Sequence, residues 1–398
     1  MLLDGMKITT FCHFLQGPAA MQYLADMGAD MIKIEPPQGA WERHWAGANR
    51  VKVNGVSAFF LSANRNARSL SLDLKKPEAQ AIALRVIETS HAVTENYRPG
   101  ALDRLGLGYE AVKARKPDII YASASGYGAT GPYATRPGQD LLIQAMSGLV
   151  AATGGGDRRY TAPGAAIADQ HGAALFALGI VGAYAKWLRT GEGTRVESSL
   201  LASGIDLQTE SLVTYFAAEG QDHYFERDSH LGTWFHEAPY GIYALKDAHV
   251  AISMNPPEKV ARALNAESIA ALIGRNTYFE RDVYAKAVAE AVAPLTYAEL
   301  AAAFEKENMW FTKVDRFDDL VENPQVIHNG TFIPCDVLGT PLNLVNHPNR
   351  YDGEGATLRH MAFHHGQHSR MILDECGYTC KEIDQFHDDE IVFSPAKT

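Results

Sequence analysis

The sequence predicts an α/β protein whose core is a doubly wound parallel sheet. Over about the first 200 residues, strand-like and helix-like segments alternate, which is typical of a parallel sheet with helices on its faces. The 398 residues are 46% hydrophobic and 21% charged, an ordinary balance for a protein with large buried cores. Length alone allows about two or three domains.

The predicted core begins with a strand, a helix and a second strand, the usual opening of such a sheet. Gly17 and Pro18 open the first helix and Gly28 ends it, because proline suits a first helical turn and glycine a helix end. The predicted strands are Lys7 to Phe11, Asp30 to Ile34, Ser69 to Leu74, His91 to Glu95 and Ile119 to Ser125. The predicted helices are Gly17 to Asp26, Pro77 to Thr89, a short one within Leu102 to Arg115, and Ala173 to Trp187.

The character of the sequence changes near residue 222. Pro239 to Ser253 predicts a hairpin that turns at Lys246-Asp247, and Glu258 to Lys306 has a helical pattern. Pro334 to Leu344 predicts strand and turn, and Gln367 to Phe386 predicts a helix. We therefore predict a large α/β domain at 1–222, a small α+β domain at 223–328, and a C-terminal segment at 329–398 that completes the large domain.

Charge and apolar patterning argue against two classes of partner. A formal net charge of −11 disfavours nucleic-acid binding through bulk positive charge. No apolar run reaches the roughly 18–20 residues that span a bilayer, so we expect no membrane partner and a cytoplasmic location. The four cysteines fit reduced thiols; a metal site near Cys376 and Cys380 lacks a supporting motif, so no metal is expected.

Asp169 is the most informative single residue. It lies among small and apolar residues, in Pro163-Gly-Ala-Ala-Ile-Ala-Asp-Gln-His-Gly-Ala173, directly before a helical stretch. One interpretation is a cap for a helix that begins near Gln170. The other is a covalent nucleophile, because a poorly solvated carboxylate attacks an activated carbonyl more readily. The segment alone leaves both open.

Basic side chains recur on loops that follow the predicted strands, where α/β sheets bind ligands. They favour an anionic ligand over a merely solvated basic face. The set is Arg65, Arg68, Lys75, Lys76, Arg98, Arg104 and Arg136. The glycine runs at Gly126-Tyr-Gly128 and Gly154-Gly155-Gly156 match no nucleotide fingerprint, and indicate turns where backbone passes close to a ligand or another chain.

Several segments together resemble the family III CoA-transferases, also called the CaiB/BaiF family. Each motif is weak alone, but their order and spacing cover nearly the whole chain. They are Met31-Ile-Lys-Ile-Glu-Pro36, Asn64 to Lys75, Glu95-Asn-Tyr-Arg-Pro-Gly-Ala-Leu-Asp-Arg-Leu-Gly106, Ser125 to Pro132, Gln144 to Gly148, Gly191 to Val196, Gly366 to Ser369 and Asp374 to Gly377.

The resemblance implies a Rossmann-like large domain, a small α+β domain and an interlocked homodimer. It places Asp169 on the family's catalytic aspartate, which passes through acyl anhydrides and an aspartyl–CoA thioester. The implied partners are an acyl-CoA, a free carboxylic acid and a second copy of the chain. Coenzyme A is then a substrate, and no permanently bound cofactor is expected.

The resemblance also implies roles for other residues, position by position. Gln139, Asp140 and Gln16 match positions that orient substrate beside the nucleophile, and His13 matches a histidine of some relatives. The positions that match those holding CoA are Leu72, Lys75, Asn96, Tyr97, Arg98, Arg104 and Arg136.

Two other functions remain open at this stage. The same fold carries α-methylacyl-CoA racemases, whose proton transfer needs two acid–base groups; their Gly-His-Asp run reads Gly138-Gln139-Asp140 here, and glutamine does not titrate. A CoA-binding protein without catalysis would use Asp169 only as a cap. Trp234, His236 and Tyr240 are candidates for the acyl pocket, although packing is the competing interpretation for each. His236 suggests a dicarboxylic or hydroxy-acid acceptor.

Overall fold

The computed structural model describes residues 1–47, 50–154, 160–218 and 225–395. The predicted boundary at 222 and the Gly155 to Arg159 part of the second glycine run lie outside these ranges. The described strands are β1 (Lys7–Thr10), β2 (Asp30–Glu35), β3 (Lys52–Val53), β4 (Val56–Ser57), β5 (Ala67–Leu72), β6 (Ala92–Glu95), β7 (Ile120–Ser125), β8 (Thr194–Ser199), β9 (Gly241–Ala244), β10 (His249–Ile252), β11 (Phe311–Lys313), β12 (Phe332–Val337), β13 (Thr340–Val345) and β14 (Val392–Phe393).

Helices separate most of these strands, and two short 3-10 turns occur at Trp41–Arg43 and Asp103–Leu105. The described α-helices are α1 (Gln16–Asp26), α2 (Ala58–Ala63), α3 (Pro77–Glu88), α4 (Tyr109–Arg115), α5 (Asp140–Met146), α6 (Leu149–Thr153), α7 (Ile167–Thr190), α8 (Leu200–Asp206), α9 (Thr209–Ala217), α10 (Pro257–Leu264), α11 (Glu267–Ala270), α12 (Arg281–Val292), α13 (Tyr297–Lys306), α14 (Phe317–Leu320), α15 (Pro324–His328), α16 (Ser369–Glu375) and α17 (Cys380–Asp388).

The chain divides into two compact units. The first comprises residues 1–143, 166–204 and 324–398, and the second comprises 144–165 and 205–323. The second unit therefore includes 144–165 and starts its main segment at 205, both of which the sequence analysis assigned to the large domain. The C-terminal segment rejoins the first unit from residue 324.

The first unit is built on a seven-stranded sheet in the order β14-β5-β2-β1-β6-β7-β8. Every neighbouring pair is parallel except β14 with β5. Counted along the chain, the parallel strands have the order 3-2-1-4-5-6, which is the Rossmann order. The order reverses between β1 and β6, and ligands of such sheets bind beyond the carboxyl ends at this switch point.

Alternation of side chains along each strand gives the sheet two apolar faces. Met31 and Ile120 lie in the cluster with α1 and α7, whereas Ile32 and Tyr121 lie in the cluster with α3 and α4. Small residues on α1 and α7, including Ala20 and Ala173, are fully buried where these helices pack. The predicted α/β core is thus confirmed, with helices on both faces.

The second unit has its own three-stranded sheet in the order β11-β10-β9, with antiparallel pairing. The predicted hairpin is confirmed as β9 and β10. Helices α10 to α13 cover it through a core that includes Val260, Tyr284 and Phe304.

Three local predictions differ from the structure. The strand β8 was not predicted, because Thr194 to Ser199 lies partly exposed at the sheet edge and lacks a long apolar run. The predicted C-terminal helix is two helices, because Gly377 takes a left-handed φ of 79° between α16 and α17. Helix α7 begins at Ile167, six residues before the predicted start.

Among the described residues, no single helix is long and apolar enough to cross a membrane. Helices α12 and α13 reach that length and composition only together, across a bend of 117°.

Candidate active site

Asp169 lies in the first turn of α7, not at its cap. Ala166 occupies the N-cap position and makes no side-chain capping bond. Instead, Asp140 Oδ1 accepts hydrogen bonds from the backbone N–H groups of Ala168 at 2.9 Å and Asp169 at 3.0 Å. The expectation of a helix capped by Asp169 near Gln170 is therefore wrong. Asp140, from the start of α5, supplies the carboxylate that the helix end needs.

This arrangement leaves the Asp169 carboxylate uncommitted. Its residue is half-buried, and its carboxylate makes no hydrogen bond or ion pair among the described residues. Burial, together with the nearby Asp140 carboxylate, raises the pKa of Asp169 to about 7. A carboxylate that is poorly solvated and poorly paired is more basic than usual, which suits a nucleophile.

Gln16 lies against the same helix, one turn further along. It is the first residue of α1 and is only 4% exposed. A Cβ on Gly172 would come within 2.7 Å of Gln16 Nε2 and 3.3 Å of Ser203 Oγ. Gln16 Nε2 has no hydrogen-bond partner among the described residues. A buried amide donor without a partner is costly, so this N–H has an unmet hydrogen bond beside the helix that carries Asp169.

The third predicted orienting residue, Gln139, is exposed where α5 begins. Its carbonyl accepts the N–H of Ile143 at 3.1 Å. Just before it, Gly138 packs backbone to backbone on Gly126, since a Cβ on Gly126 would lie 2.7 Å from Gly138 Cα. The Gly126 turn therefore contacts another segment of the same chain. Asp140 follows this contact by two residues and reaches the N-terminal end of α7.

The loop from Phe11 to Leu15, which follows β1, lies at the switch point of the sheet. The Asn96 side chain binds it twice, accepting the N–H of His13 at 2.9 Å and donating to its carbonyl at 2.8 Å. The rings of Tyr97 and His13 are 4.5 Å apart. Burial lowers the pKa of His13 to about 4. Asn96 and Tyr97 thus have a structural role whether or not they also contact a ligand.

The basic residues divide into two groups. Lys75, Arg98, Arg104 and Arg136 are exposed, and none of the four makes a side-chain ion pair among the described residues. Lys75 follows β5 and Arg98 follows β6, both at the carboxyl edge of the sheet. The Arg136 guanidinium stacks on the Tyr133 ring at 4.0 Å.

The other group is structural, so the prediction that it faces an anionic ligand is wrong. Arg65 is 2% exposed, pairs with Asp26 and donates to the carbonyl of Val345 at 2.6 Å. Arg68 pairs with Asp30 and Glu375.

Two further residues are held by the fold: Lys76, from the predicted basic set, and Leu72, from the predicted CoA set. Lys76 donates to the carbonyls of Asp389 and Glu390. Leu72 is 0% exposed, backbone included, and pairs with Val392 of β14.

The predicted acyl-pocket residues belong to the second unit. Trp234 is 1% exposed, and its Nε1 donates to Ser211 Oγ at 2.8 Å. His236 and Tyr240 are half-buried and stack at 4.4 Å. The Thr233 hydroxyl lies 2.7 Å from His236 Nδ1. Packing accounts for Trp234, whereas the His236–Tyr240 pair remains partly accessible.

The described residues contain no group of three or more His, Cys, Asp or Glu side chains that could hold a metal ion. Cys376 and Cys380 are free thiols, half-buried and exposed respectively.

The model of the family described as "CoA-transferase family III" matches residues 3–369. The chain belongs to the family III CoA-transferases. It is 30% identical over 394 residues to a succinyl-CoA:glutarate CoA-transferase of Mus musculus, covering 94% of this chain and 86% of that protein. It is 28% identical to a succinate–glutarate CoA-transferase of Agrobacterium fabrum, covering 94% and 95%. A crystal structure of a CaiB/BaiF family protein from Brucella suis is similar, with a TM-score of 0.80, 27% identity and coverage of 94% and 99%.

This family III CoA-transferase therefore has its candidate site around a residue that the sequence singled out, but sequence analysis missed two supporting groups. The cross-helix cap by Asp140 was missed because 29 residues separate it from Asp169. Glu42 was missed entirely, although it is fully buried and accepts the N–H of Phe14 at 3.2 Å. A lone glutamate between two tryptophan positions gives no signal by itself.

Proposed function

We propose that this transferase moves CoA from an acyl-CoA to a free carboxylic acid through covalent intermediates on Asp169. The observation that supports this most is the uncommitted Asp169 carboxylate, with its raised pKa, on a helix whose capping is done by Asp140. A helix cap or a salt-bridge partner would instead have hydrogen bonds to its oxygens.

The proposed reaction has four steps. The Asp169 carboxylate attacks the donor thioester carbonyl, giving a mixed anhydride and CoA thiolate. The thiolate attacks the aspartyl carbonyl, which releases the donor acid and leaves an aspartyl–CoA thioester. The acceptor carboxylate attacks that thioester, forming a new anhydride and freeing CoA thiolate. The thiolate then attacks the acyl carbonyl of this anhydride, which yields the new acyl-CoA and restores Asp169.

Binding and oxyanion stabilisation have candidates in the first unit. The buried Gln16 amide would donate to a carbonyl oxygen as it becomes an oxyanion. The exposed cations Lys75, Arg98 and Arg104 would meet CoA phosphates at the carboxyl edge of the sheet. No ATP is needed, because a thioester is consumed and a thioester is formed.

The central test is Asp169→Asn, with Asp4→Asn as a surface control. We expect the Asp169 variant to lose transfer, measured by mass spectrometry of the product thioester, while the Asp4 variant, altered at an exposed residue, keeps it. Hydroxylamine added with the donor thioester should label Asp169 in the native protein. Transfer that survives in the Asp169 variant would overturn the covalent scheme.

For substrates, we propose a short dicarboxylic acyl-CoA and a free dicarboxylic acid. The names of the mouse and Agrobacterium relatives support this class. Succinyl-CoA with glutarate is therefore the first pair to assay, against butyrate as a monocarboxylate control.

We also infer that the active protein is a homodimer. Large apolar side chains are exposed on the single chain, among them Leu141, Leu178 and Leu188, which fits burial against a second copy. Sedimentation equilibrium should give twice the 43.5 kDa of one chain. A monomer with full activity would contradict the inference.

A further inference from the structure

In the loop after β1, the backbone of Phe11 donates to the carbonyl of Thr94 at 2.8 Å, and the next three residues are held by side chains. The N–H groups of the three consecutive residues Cys12 to Phe14 donate to Thr10 Oγ1, Asn96 Oδ1 and Glu42 Oε2, at 3.1, 2.9 and 3.2 Å. Thr10 is the last residue of β1 and Asn96 directly follows β6, so both acceptors belong to the central sheet. Glu42 belongs to the separate 3-10 turn at Trp41–Arg43, so it ties the loop to another segment.

Phe14 has a backbone conformation that requires outside contacts to hold it. Its φ is +63°, in the left-handed region that a bulky side chain seldom adopts. A conformation of this kind persists only when its surroundings enforce it. The Phe14 ring packs 4.9 Å from Trp41, the residue next to Glu42, so ring and backbone are fixed by the same turn.

Glu42 is itself held in place by charge. Its residue is fully buried, and its Oε1 pairs with the buried Lys33 ammonium. Lys33 Nζ also donates to Asn64 Oδ1 at 2.7 Å. The ion pair therefore occupies one carboxylate oxygen and aims the other at the Phe14 N–H, as a charge-assisted hydrogen bond.

The conformation of Phe14 determines where the next helix begins. Leu15 is the N-cap of α1 without a side-chain capping bond, and Gln16 follows. The Gln16 amide then reaches the space left by Gly172, one turn from Asp169. We propose that Glu42 is a positioning residue, which fixes the left-handed Phe14 and thereby holds the Gln16 amide beside the nucleophile's helix. The kinetic part of this proposal rests on the proposed CoA transfer.

A pair of double variants isolates the hydrogen bond from the charge. Removing either charge alone would leave the other buried and unpaired, and the chain could fail to fold. Lys33→Met with Glu42→Gln removes both charges and keeps an amide oxygen for the Phe14 N–H. Lys33→Met with Glu42→Leu removes both charges and the acceptor as well. The two variants have nearly equal side-chain volumes and differ in that acceptor.

Two measurements follow, one of which needs no activity. Hydrogen exchange of a peptide covering residues 11–16 should be faster in the Glu42→Leu double variant than in the Glu42→Gln one. The turnover rate for transfer should fall about 10- to 100-fold in the Leu variant relative to the Gln variant. Misplacing a catalytic group such as the Gln16 amide by about 1 Å lowers the rate by up to about 100-fold. KM for the donor thioester should be the same in both. The cations proposed to bind its phosphates, Lys75, Arg98 and Arg104, take no part in these hydrogen bonds.

The outcomes separate the two proposals. Equal exchange and equal turnover in both double variants would overturn the positioning role of Glu42, even with an active native enzyme. Absence of transfer in the native protein would overturn the proposed function, while the exchange comparison would still decide whether Glu42 holds the loop. Faster exchange with an unchanged turnover would also overturn the positioning role, since the loop would then be irrelevant to Gln16.

Discussion

Asp140 affects Asp169 in two opposite ways. Its Oδ1 accepts hydrogen bonds from two N–H groups at the start of α7 and so fixes the backbone at Asp169, the proposed nucleophile. Its negative charge also disfavours ionisation of Asp169, adding to burial as a cause of the raised pKa. In the proposed mechanism the ionised form of Asp169 attacks the thioester, so transfer should be only partly active near neutral pH.

This balance predicts the pH dependence of transfer. In the native enzyme, kcat/KM should rise with pH through about 7, the pKa of Asp169. Asp140→Asn keeps the oxygen that caps α7 but removes the negative charge beside Asp169. The pKa of Asp169 should then fall, and the rise of kcat/KM with pH should move to lower pH. The ratio of the rates at pH 6 and pH 8 measures this shift. An unchanged limb would show that Asp140 does not influence the titration, and Asp169→Asn supplies the background rate.

At the scale of elements, two of the three glycines of helix α7 should respond differently to the same substitution. A Cβ on Gly172 would meet Gln16 Nε2 at 2.7 Å, whereas a Cβ on the exposed Gly182 would meet nothing within 4 Å. Alanine at a helix interior gains about 0.5–1 kcal/mol over glycine. Gly182→Ala should therefore raise the free energy of unfolding by about that amount.

Gly172→Ala should gain the same propensity but must displace the Gln16 amide. We expect its stability, measured by urea unfolding, to change by less than about 1 kcal/mol. Its turnover should fall at least about 10-fold. If both alanine variants transferred CoA at the native rate, the position of Gln16 would not matter for catalysis.

Arg65 and Arg98 illustrate what the sequence could and could not predict. Both belong to the basic set that the sequence analysis expects to face an anionic ligand, so the sequence alone gives them the same role. In the structure, Arg65 is buried on Asp26, 39 residues earlier in the chain, while Arg98 is exposed. The order of elements, the parallel core and the position of Asp169 were predictable because they depend on local patterns and on family motifs. Ion pairs and caps between distant segments were not, because local sequence carries no record of them.

The two arginines should therefore differ in experiment. Arg65→Ala leaves Asp26 buried without its partner, which costs about 3–5 kcal/mol of unfolding free energy. Arg98→Ala should change stability by less than about 0.5 kcal/mol and raise KM for the acyl-CoA several-fold. Urea unfolding and initial rates measure both effects. If the Arg65 variant were as stable as the native protein and had a raised KM for the acyl-CoA, Arg65 would have a ligand-binding role and not a structural one.

At the scale of the whole molecule, buried groups of opposite kinds set the pH dependence of stability. Burial raises the pKa of Asp169 and of Glu95 to about 7, so the folded state holds protons that the unfolded state has lost. Burial lowers the pKa of His13 and of His368 to about 4, so there the unfolded state holds the extra protons. Between about pH 4.5 and 6.5 the carboxyls favour folding as pH falls, and the imidazoles disfavour it.

Removing the two carboxyls should expose the imidazole contribution. In the double variant Asp169→Asn with Glu95→Gln, the introduced amide oxygen can still accept the Tyr97 N–H that Glu95 accepts at 2.8 Å. Each displaced proton is worth at most about 1.4 kcal/mol per pH unit. The variant should therefore lose stability more steeply than the native protein as pH falls from 6.5 to 4.5, by about 1–2 kcal/mol per unit.

The two ends of the pH range make the comparison decisive. At pH 8 the native protein buries two ionised carboxylates at a cost, and the variant does not, so the variant should be the more stable of the two. Near pH 4 both carboxyls are protonated when folded, and the two proteins should have similar stabilities. Thermal unfolding across this range measures both limits. Parallel stability curves would show that neither carboxyl has a perturbed pKa, and that burial does not prepare Asp169 to act as the proposed nucleophile.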